Sequence, residues 1–292
     1  MTDERAGAAA RVPVLIGERL NPSGNPRLAM RLAAGEWDAL DDEARAQAAG
    51  GAEFLDVNGV LGGARERDIL FEMIERAERV AALPLVLDSR DAALLAEASA
   101  RTRAPAILSS IPATRGALRD VLPRVAGSGR AIVGLAMGDD GVRGSAEERF
   151  ACAERFVAAG LALGVPRESL IVDCLAMPLP PRTAAQGASA IAPLGATVVA
   201  NAAALGAMRL VAARLGAPLL LGISNAAYGA PNAAERSRRA CEFLTAALAA
   251  GLDYAIANPL DERIRSILHA AKRDRGHVAR PISPVTRKEN AE

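Results

Sequence analysis

Polar side chains of a few related types follow a series of short apolar runs along this chain. Carboxylates, carboxamides and hydroxyls make up the set, which contains no lysine and no histidine: Glu18, Asn21, Asp56, Asn58, Asp88, Ser89, Ser109, Asp139, Asp140, Asp173, Ser224, Asn225 and Asn258. An aspartate can accept paired N–H bonds, and an asparagine offers both a donor and an acceptor. The set therefore suits a neutral heterocycle rich in N–H and carbonyl groups. A phosphosugar fits poorly, because a bound phosphate requires Lys, Arg or a helix N-terminus.

Two other interpretations apply to the same side chains. An Asp or Asn directly after a strand often caps a helix or forms a turn, so each residue taken alone also fits a structural role. The carboxylates of Asp56, Asp88 and Asp173 would also suit a divalent metal ion, which prefers oxygen ligands. Because acids and amides recur at successive strand ends, we favour ligand binding and expect no directly bound metal.

The apolar runs that precede these side chains are the candidate strands. They are too short for helices, are bounded by turn residues and lack a polar alternation. This pattern is typical of strands that are buried on both faces of a parallel sheet. Eight strands are predicted to begin near Val14, Phe54, Leu85, Ala106, Ile132, Leu170, Leu219 and Tyr254.

Longer stretches with helical spacing separate these strands. Residues 37–49, 66–81 and 233–250 are predicted helices, and residues 145–148 (SAEE) predict a capping box that opens another. Strand and helix alternating eight times predict a single (β/α)8 TIM barrel of the α/β class, whose ligand site forms at the carboxyl ends of the strands. An open doubly wound sheet is the alternative. Its first strand is usually followed by a Gly-rich phosphate loop, whereas residues 17–22 here are GERLNP.

The domain organisation follows from the same pattern. We expect a flexible N-terminus at residues 1–11, the barrel at residues 12–271 and a polar C-terminal tail at residues 272–292. Residues 178–210 are rich in Ala, Pro and Gly, which predicts a broken helix with loops and no second domain.

Composition excludes several classes of function. The 292 residues carry a net charge of +1 and only 3% aromatic side chains, so no nucleic-acid partner is expected. The three cysteines lie far apart without a CxxC pair, which argues against a disulfide framework or a zinc site. The two histidines, His269 and His277, lie near the C-terminus, away from the strand ends. No secretory signal or membrane span is visible, so we expect a cytoplasmic protein that does not bind membranes.

Six motifs follow one another along the chain: 16–22 (IGERLNP), 55–58 (LDVN), 87–89 (LDS), 173–178 (DCLAMP), 221–225 (LGISN) and 249–256 (AAGLDYAI). In this order they resemble the pterin-binding barrel family, which includes dihydropteroate synthases. The branch that they resemble most is that of the methyltetrahydrofolate:corrinoid methyltransferases, including the folate module of cobalamin-dependent methionine synthase. The fold of this family is a (β/α)8 barrel, in agreement with the strand count.

The resemblance also implies roles for individual residues. Asp88 and Asp173 would accept N–H bonds from the aminopyrimidinone edge of the pterin. Asn225 corresponds to the mobile asparagine that hydrogen-bonds near N5 of the folate, and it is the implied catalytic residue. The other positions assigned to the substrate pocket are Glu18, Asn21, Asp56, Asn58, Ser109, Gly222 and Ser224.

The implied reaction moves a methyl group between N5-methyltetrahydrofolate and cob(I)alamin, in either direction. Neutral N5 is a poor leaving group, so the protein must supply hydrogen-bond or proton assistance at N5. Methyltetrahydrofolate and tetrahydrofolate are then substrates. Because the chain has no room for a cobalamin domain, a separate corrinoid protein is the expected partner, and a homodimer is the expected assembly.

Two departures from the family pattern keep a second function open. Ser109-Ser110 stands where the family usually has Asn-Ser, and residues 232–234 (NAA) replace Asn-Arg-Pro. A repurposed or non-catalytic pterin- or folate-binding barrel is therefore the alternative. The dihydropteroate synthase branch is disfavoured, because its seventh-strand loop carries a Ser-Arg-Lys type motif with a catalytic lysine, whereas residues 224–226 here are SNA.

Overall fold

Eight parallel strands close into a barrel in the computed structural model, which describes residues 12–61, 66–179 and 193–275. Each strand pairs with its neighbours in sequence, and the last pairs with the first. The (β/α)8 prediction is confirmed, and every strand begins within one residue of its predicted start. The strands are β1 Val14–Leu20, β2 Phe54–Asn58, β3 Leu85–Asp88, β4 Ile107–Pro112, β5 Ala131–Leu135, β6 Leu170–Asp173, β7 Leu219–Gly222 and β8 Tyr254–Ala257.

Helices surround the barrel: α1 Pro26–Ala33, α2 Asp38–Ala49, α3 Glu66–Ala81, α4 Ala92–Ser99, α5 Leu122–Ala126, α6 Ala146–Ala162, α7 Ala196–Ala200, α8 Ala202–Arg214, α9 Ile223–Ala226, α10 Ala233–Ala249 and α11 Glu262–Arg275. A π-helical turn at Ala117–Val121 precedes α5, and a 3₁₀ turn at Arg167–Ser169 precedes β6. A small antiparallel hairpin, Met137–Gly138 with Gly141–Val142, follows β5. The broken helix predicted within residues 178–210 takes the form of α7 and α8, while residues 180–192 lie outside the described ranges.

Local sequence signals account for where these helices begin and how they pack. Ser145 Oγ accepts a hydrogen bond from the Glu148 amide, and the Glu148 carboxylate accepts one from the Ser145 amide, which completes the predicted capping box of α6. Gly134 on β5 faces Phe156 of α6, and a Cβ at residue 134 would lie 2.3 Å from that ring. The glycine therefore lets α6 pack directly on the sheet.

The C-terminal boundary of the barrel differs from the prediction. Helix α11 continues to Arg275, past the predicted boundary at residue 271. Lys272 forms an ion pair with Glu53, which holds this part of the helix against the start of β2. The predicted N-terminal segment 1–11 and the tail after residue 275 lie outside the described residues.

The interior of the barrel is apolar in its lower layers. One cluster of buried side chains fills it: Ile16, Val86, Ile107, Ala131, Val133, Ile171, Leu220 and Tyr254, with Val14, Phe54 and Ile256 beside them. The intervening residues, such as Leu55 and Leu87, belong to the larger core between the strands and the helices. Because successive side chains of a strand point to opposite faces, the inward positions can be followed along each strand to its carboxyl end.

Candidate functional site

The inward-facing positions change from apolar to polar at the carboxyl ends of the strands. The period of two continues from Ile16 to residue 18, from Val86 to residue 88 and from Ile171 to residue 173. The resulting layer, called the polar ring here, consists of Glu18, Asp56, Asn58, Asp88, Ser109 and Asp173, with Gly222 at the inward position of β7. Strand pairing sets Asn58 beside Asp88 and Asp88 beside Ser109. The structure thus brings together residues that are far apart in the sequence.

Asn58 orients Asp88 within the polar ring. The Asn58 amide Nδ2 donates to Asp88 Oδ2 at 2.8 Å, and Asn58 Oδ1 accepts from the Val60 amide at 2.8 Å. Since both ends of the carboxamide are engaged, its orientation is set by the backbone of the loop after β2. Burial raises the pKa of Asp88, and the hydrogen bond from Asn58 partly offsets this rise.

Asp56 is the most enclosed acid of the polar ring, at 5% exposure. Burial raises its pKa well above the ordinary value, and the nearby charges of Asp88 and Glu18 raise it further. Among the residues that the structure describes, none donates a hydrogen bond to this carboxyl group. Asp56 is therefore a buried acid whose hydrogen-bonding capacity is open to a ligand.

Glu18 and Ser224 connect β1 to the turn after β7. Ser224 Oγ donates to Glu18 Oε1 at 2.7 Å. Burial raises the pKa of Glu18 to about 7, although the hydrogen bond from Ser224 acts in the opposite direction. Glu18 therefore exchanges a proton close to neutral pH, which is the range in which a general acid or base is most effective.

Asn225 lies in the single helical turn α9, directly after β7. Its side chain folds back over Gly222, so that a Cβ at residue 222 would lie 2.7 Å from Asn225 Nδ2. Gly222 thereby provides the space that the carboxamide occupies. Asn225 itself is exposed, which makes it a solvent-accessible amide at the mouth of the barrel, one residue from Ser224.

Asp173 ends β6 and faces the barrel axis. The Leu175 amide donates to its Oδ1 at 2.7 Å. Burial raises the pKa of Asp173 to about 6, while this amide and the charge of Arg149 lower it. The carboxyl group is thus predominantly ionised at neutral pH and can accept charge-assisted hydrogen bonds.

Several of the predicted strand-end residues make contacts within the local structure. Asn21 Oδ1 accepts from the Ser23 amide at 3.0 Å, and Asn258 Oδ1 accepts from the Leu260 amide at 3.0 Å, so both asparagines close turns. Ser89 Oγ donates to Glu66 Oε1 at 2.6 Å. Asp139 and Asp140 form ion pairs with nearby arginines. The contacts of these residues are therefore those that a role in turns and local ion pairs predicts.

Within the described ranges, no group of three or more His, Cys, Asp or Glu side chains is arranged to hold a metal ion. Asp56 and Asp88 lie on adjacent strands, but β4 and β5 separate them from Asp173.

None of the described helices has the length and apolar character required to cross a membrane.

A closed (β/α)8 barrel that places acids and amides at the carboxyl ends of its strands is suited to bind a polar ligand at its mouth. Residues 17–258 match the sequence profile of the pterin binding enzymes, and the chain belongs to that family.

Solved structures with the same fold include three bacterial dihydropteroate synthases. The enzyme from Xanthomonas albilineans in complex with 7,8-dihydropteroate is 18% identical, with 92% of this chain and 95% of that chain covered and a TM-score of 0.64. The enzyme from Stenotrophomonas maltophilia is 15% identical, with 92% and 95% covered and a TM-score of 0.65. The enzyme from Thermus thermophilus, in complex with 4-aminobenzoate, is 20% identical, with 92% and 97% covered and a TM-score of 0.59. These similarities show the fold.

Ser109 is the position at which a small change tests the shape of the pocket. It is buried in the polar ring beside Asp88, and its hydroxyl is shorter than the carboxamide usual in the family. If the pocket retains the volume of that carboxamide, we expect Ser109→Asn to raise folate affinity, measured by calorimetric titration. A decrease, for which overpacking by roughly 1–3 kcal/mol is the physical reason, would instead indicate a pocket rebuilt for another ligand. Ser128→Asn, in an exterior turn, is the control.

Proposed function

We propose that the protein transfers the methyl group of N5-methyltetrahydrofolate to the cob(I)alamin of a separate corrinoid protein, or catalyses the reverse reaction. The observation that carries this proposal is the position of Asn225. Its carboxamide lies at the mouth of the barrel, beside an inward-facing glycine and one residue from the Ser224–Glu18 hydrogen bond. A neutral amide directed at a reacting nitrogen, with a proton-exchanging acid nearby, suits the cleavage of an N–CH₃ bond.

The polar ring supports the binding of a pterin. Asp88 and Asp173 are half-buried acceptors for the N–H groups of the aminopyrimidinone edge, and each is already held by a donor from the protein. Asp56 has open capacity for a further hydrogen bond. Apolar side chains beneath the ring, including Val86 and Ile171, close the floor of the barrel, so the ring recognises the ligand away from bulk water.

In the reaction itself, the corrinoid supplies the nucleophile that attacks the methyl carbon. N5 takes up a proton, the bond between the methyl carbon and the protonated N5 breaks, and the electron pair of that bond remains on N5. Asn225 stabilises the charge that develops on N5 through a hydrogen bond that is strongest in the transition state. Glu18, whose pKa is about 7, exchanges the proton, and Ser224 positions its carboxyl group.

The distribution of lysine disfavours the dihydropteroate synthase reaction. Lysine occurs only at positions 272 and 288 of the chain. Lys272 lies on α11 and pairs with Glu53 before β2, at the end of the barrel opposite the polar ring. A reaction that depends on a lysine after β7 therefore lacks that residue here, and Asn225 occupies the corresponding turn.

Exposed apolar side chains support the docking of a partner at the mouth. Among the described residues, four of the exposed large apolar side chains lie within six residues of the carboxyl end of a strand: Val60, Met177, Tyr228 and Leu260. Apolar side chains that surround a ligand site are typical of a surface covered by another protein. A corrinoid domain must approach from this side for its cobalt to reach the folate methyl group.

The second candidate function is pterin or folate binding without catalysis. Ser109 favours it, because a hydroxyl in place of the usual carboxamide changes what the polar ring can hold.

A single-turnover experiment separates the two functions. We expect wild-type protein to bind methyltetrahydrofolate in a calorimetric titration and to convert free cob(I)alamin to methylcobalamin, followed by visible absorbance. Boiled protein and protein without folate are the controls. Binding without transfer to free cob(I)alamin or to any corrinoid protein would favour the binding function, and the absence of binding would contradict both functions.

A further inference from the structure

The segment after β6, residues 174–177, has an unusual backbone. Leu175 adopts a φ of 65°, in the left-handed region that side chains with a Cβ rarely occupy. It is in this conformation that the Leu175 amide donates to Asp173 Oδ1. The hydrogen bond at a pterin acceptor therefore depends on a backbone shape that leucine does not favour by itself.

Arg149, in the first turn of α6, donates hydrogen bonds to the backbone of this segment. Its Nη1 donates to the carbonyl oxygens of Cys174 and Leu175, both at 2.7 Å, and its Nε donates to the Arg143 carbonyl at 2.8 Å. The residue is only 6% exposed. A buried guanidinium that is devoted to backbone carbonyls holds them in one arrangement, since each contact is a charge-assisted hydrogen bond.

Asn201, which lies between α7 and α8, holds the other end of the segment. Its Oδ1 accepts from the Met177 amide at 2.7 Å, and its Nδ2 donates to the Met177 carbonyl at 2.9 Å and to the Thr197 carbonyl at 3.0 Å. The side chain is 1% exposed. The paired contacts to Met177 resemble those of a neighbouring strand. The segment is thus anchored at both ends by buried polar side chains from outside the polar ring.

We infer that Arg149 and Asn201 are positioning residues for pterin recognition, because together they hold residues 174–177 in the shape that directs the Leu175 amide at Asp173. This inference rests on the proposed function, for which Asp173 is a pterin acceptor. One oxygen of the carboxylate is then held by the protein, and the orientation of the carboxylate is set before the ligand arrives. Pre-organisation of this kind lowers the cost of binding.

The charge of Arg149 also acts on Asp173. It lowers the pKa of this half-buried carboxyl group, as does the Leu175 hydrogen bond that Arg149 supports. Strand pairing places Leu135 and Leu220 beside Asp173, so the flanking strands contribute apolar neighbours. Within the described residues, Arg149 is the charged side chain that acts on Asp173. Loss of Arg149 removes both influences, and the pKa of Asp173 should therefore rise.

The test is a ¹³C NMR titration of aspartate carboxyl groups in the ligand-free protein, with Asp173→Asn to assign the signal. We expect Arg149→Met to raise the pKa of Asp173 from about 6 by roughly one unit. Arg155→Met, on the same helix but without contacts to residues 174–177, is the matched control and should leave it unchanged. In calorimetry, Arg149→Met and Asn201→Ala should each weaken the binding of methyltetrahydrofolate by about tenfold, for a loss of one to two hydrogen bonds.

An unchanged Asp173 pKa together with unchanged folate affinity in folded Arg149→Met would overturn the inference. If that variant does not fold, Arg149→Lys and Asn201→Ala test the inference in its place. Lysine retains the charge but has no planar fork, so weakened binding with a nearly normal Asp173 pKa supports the inference, and wild-type affinity in both variants overturns it. Failure of the wild type to bind any pterin would contradict the proposed function, whereas the NMR comparison still tests whether Arg149 controls Asp173.

Discussion

Asn225→Ala should lower the single-turnover rate of methyl transfer about tenfold or more beyond any loss of folate affinity. The carboxamide carries no charge, so it binds neutral N5 weakly in the ground state and more strongly as positive charge develops there. Removal of an interaction that is made mainly in the transition state reduces the rate and leaves binding comparatively intact. The measurement is single-turnover transfer to cob(I)alamin at saturating folate, beside equilibrium binding of folate to the same variant.

The control is Asn258→Ala, which removes another asparagine at a strand end whose side chain closes a turn. It should leave the rate unchanged. If Asn225 acts only as part of the α9 turn, then folate binding, rate and thermal stability will fall together in Asn225→Ala. That result would remove the catalytic role.

Asp173→Asn should weaken pterin binding more than tenfold. The substitution retains an oxygen that can accept the Leu175 amide, so the backbone of the following segment is preserved. What is lost is the charge and one acceptor opposite the N–H donors of the pterin, for which about 1.5–3 kcal/mol is the expected change in binding free energy. Calorimetric titration with methyltetrahydrofolate measures it.

The pH dependence of folate affinity also tests the role of Asp173. The pKa of Asp173 in the free protein is about 6, so wild-type affinity should fall as pH is lowered through that value, and Asp173→Asn should lose this part of the dependence. Asp91→Asn is the matched control, because Asp91 caps α4 through the amides of Ala93 and Leu94 and asparagine caps equally well. Equal affinities for wild type and Asp173→Asn would mean that Asp173 also serves only local structure.

The barrel could be predicted because its signals are local. Each buried strand is an apolar run between turn residues, and a helix such as α6 opens with a capping box that four residues specify. The polar ring could be predicted for a related reason. Once the strands are placed, the alternation of side chains assigns Glu18, Asp88 and Asp173 to one end of the barrel without any knowledge of long-range contacts.

Other parts of the site depend on contacts that the sequence does not display. Arg149 falls within a helix rich in charged residues, and only the packing of α6 against residues 174–177 separates it from an exposed arginine. Asn201 lies in an Ala-rich stretch without clear periodicity. Asn21 has the same residue type as Asn225 and also follows a strand, but its side chain closes a turn. Residue type and position on the strand do not distinguish these roles.

The acids of the polar ring link folding to proton binding. In Glu18, Asp56, Asp88 and Asp173, burial raises the pKa above the ordinary values of about 4. The folded protein therefore holds protons at these sites more tightly than the unfolded chain does. The stability that these groups contribute is fully present below their unfolded pKa values, and it is lost as pH rises through the folded ones, which for Asp173 and Glu18 are about 6 and 7. A ligand that donates N–H bonds to the ionised acids offsets that loss. The ligand-bound protein at neutral pH should therefore be as stable as the ligand-free protein is in mild acid.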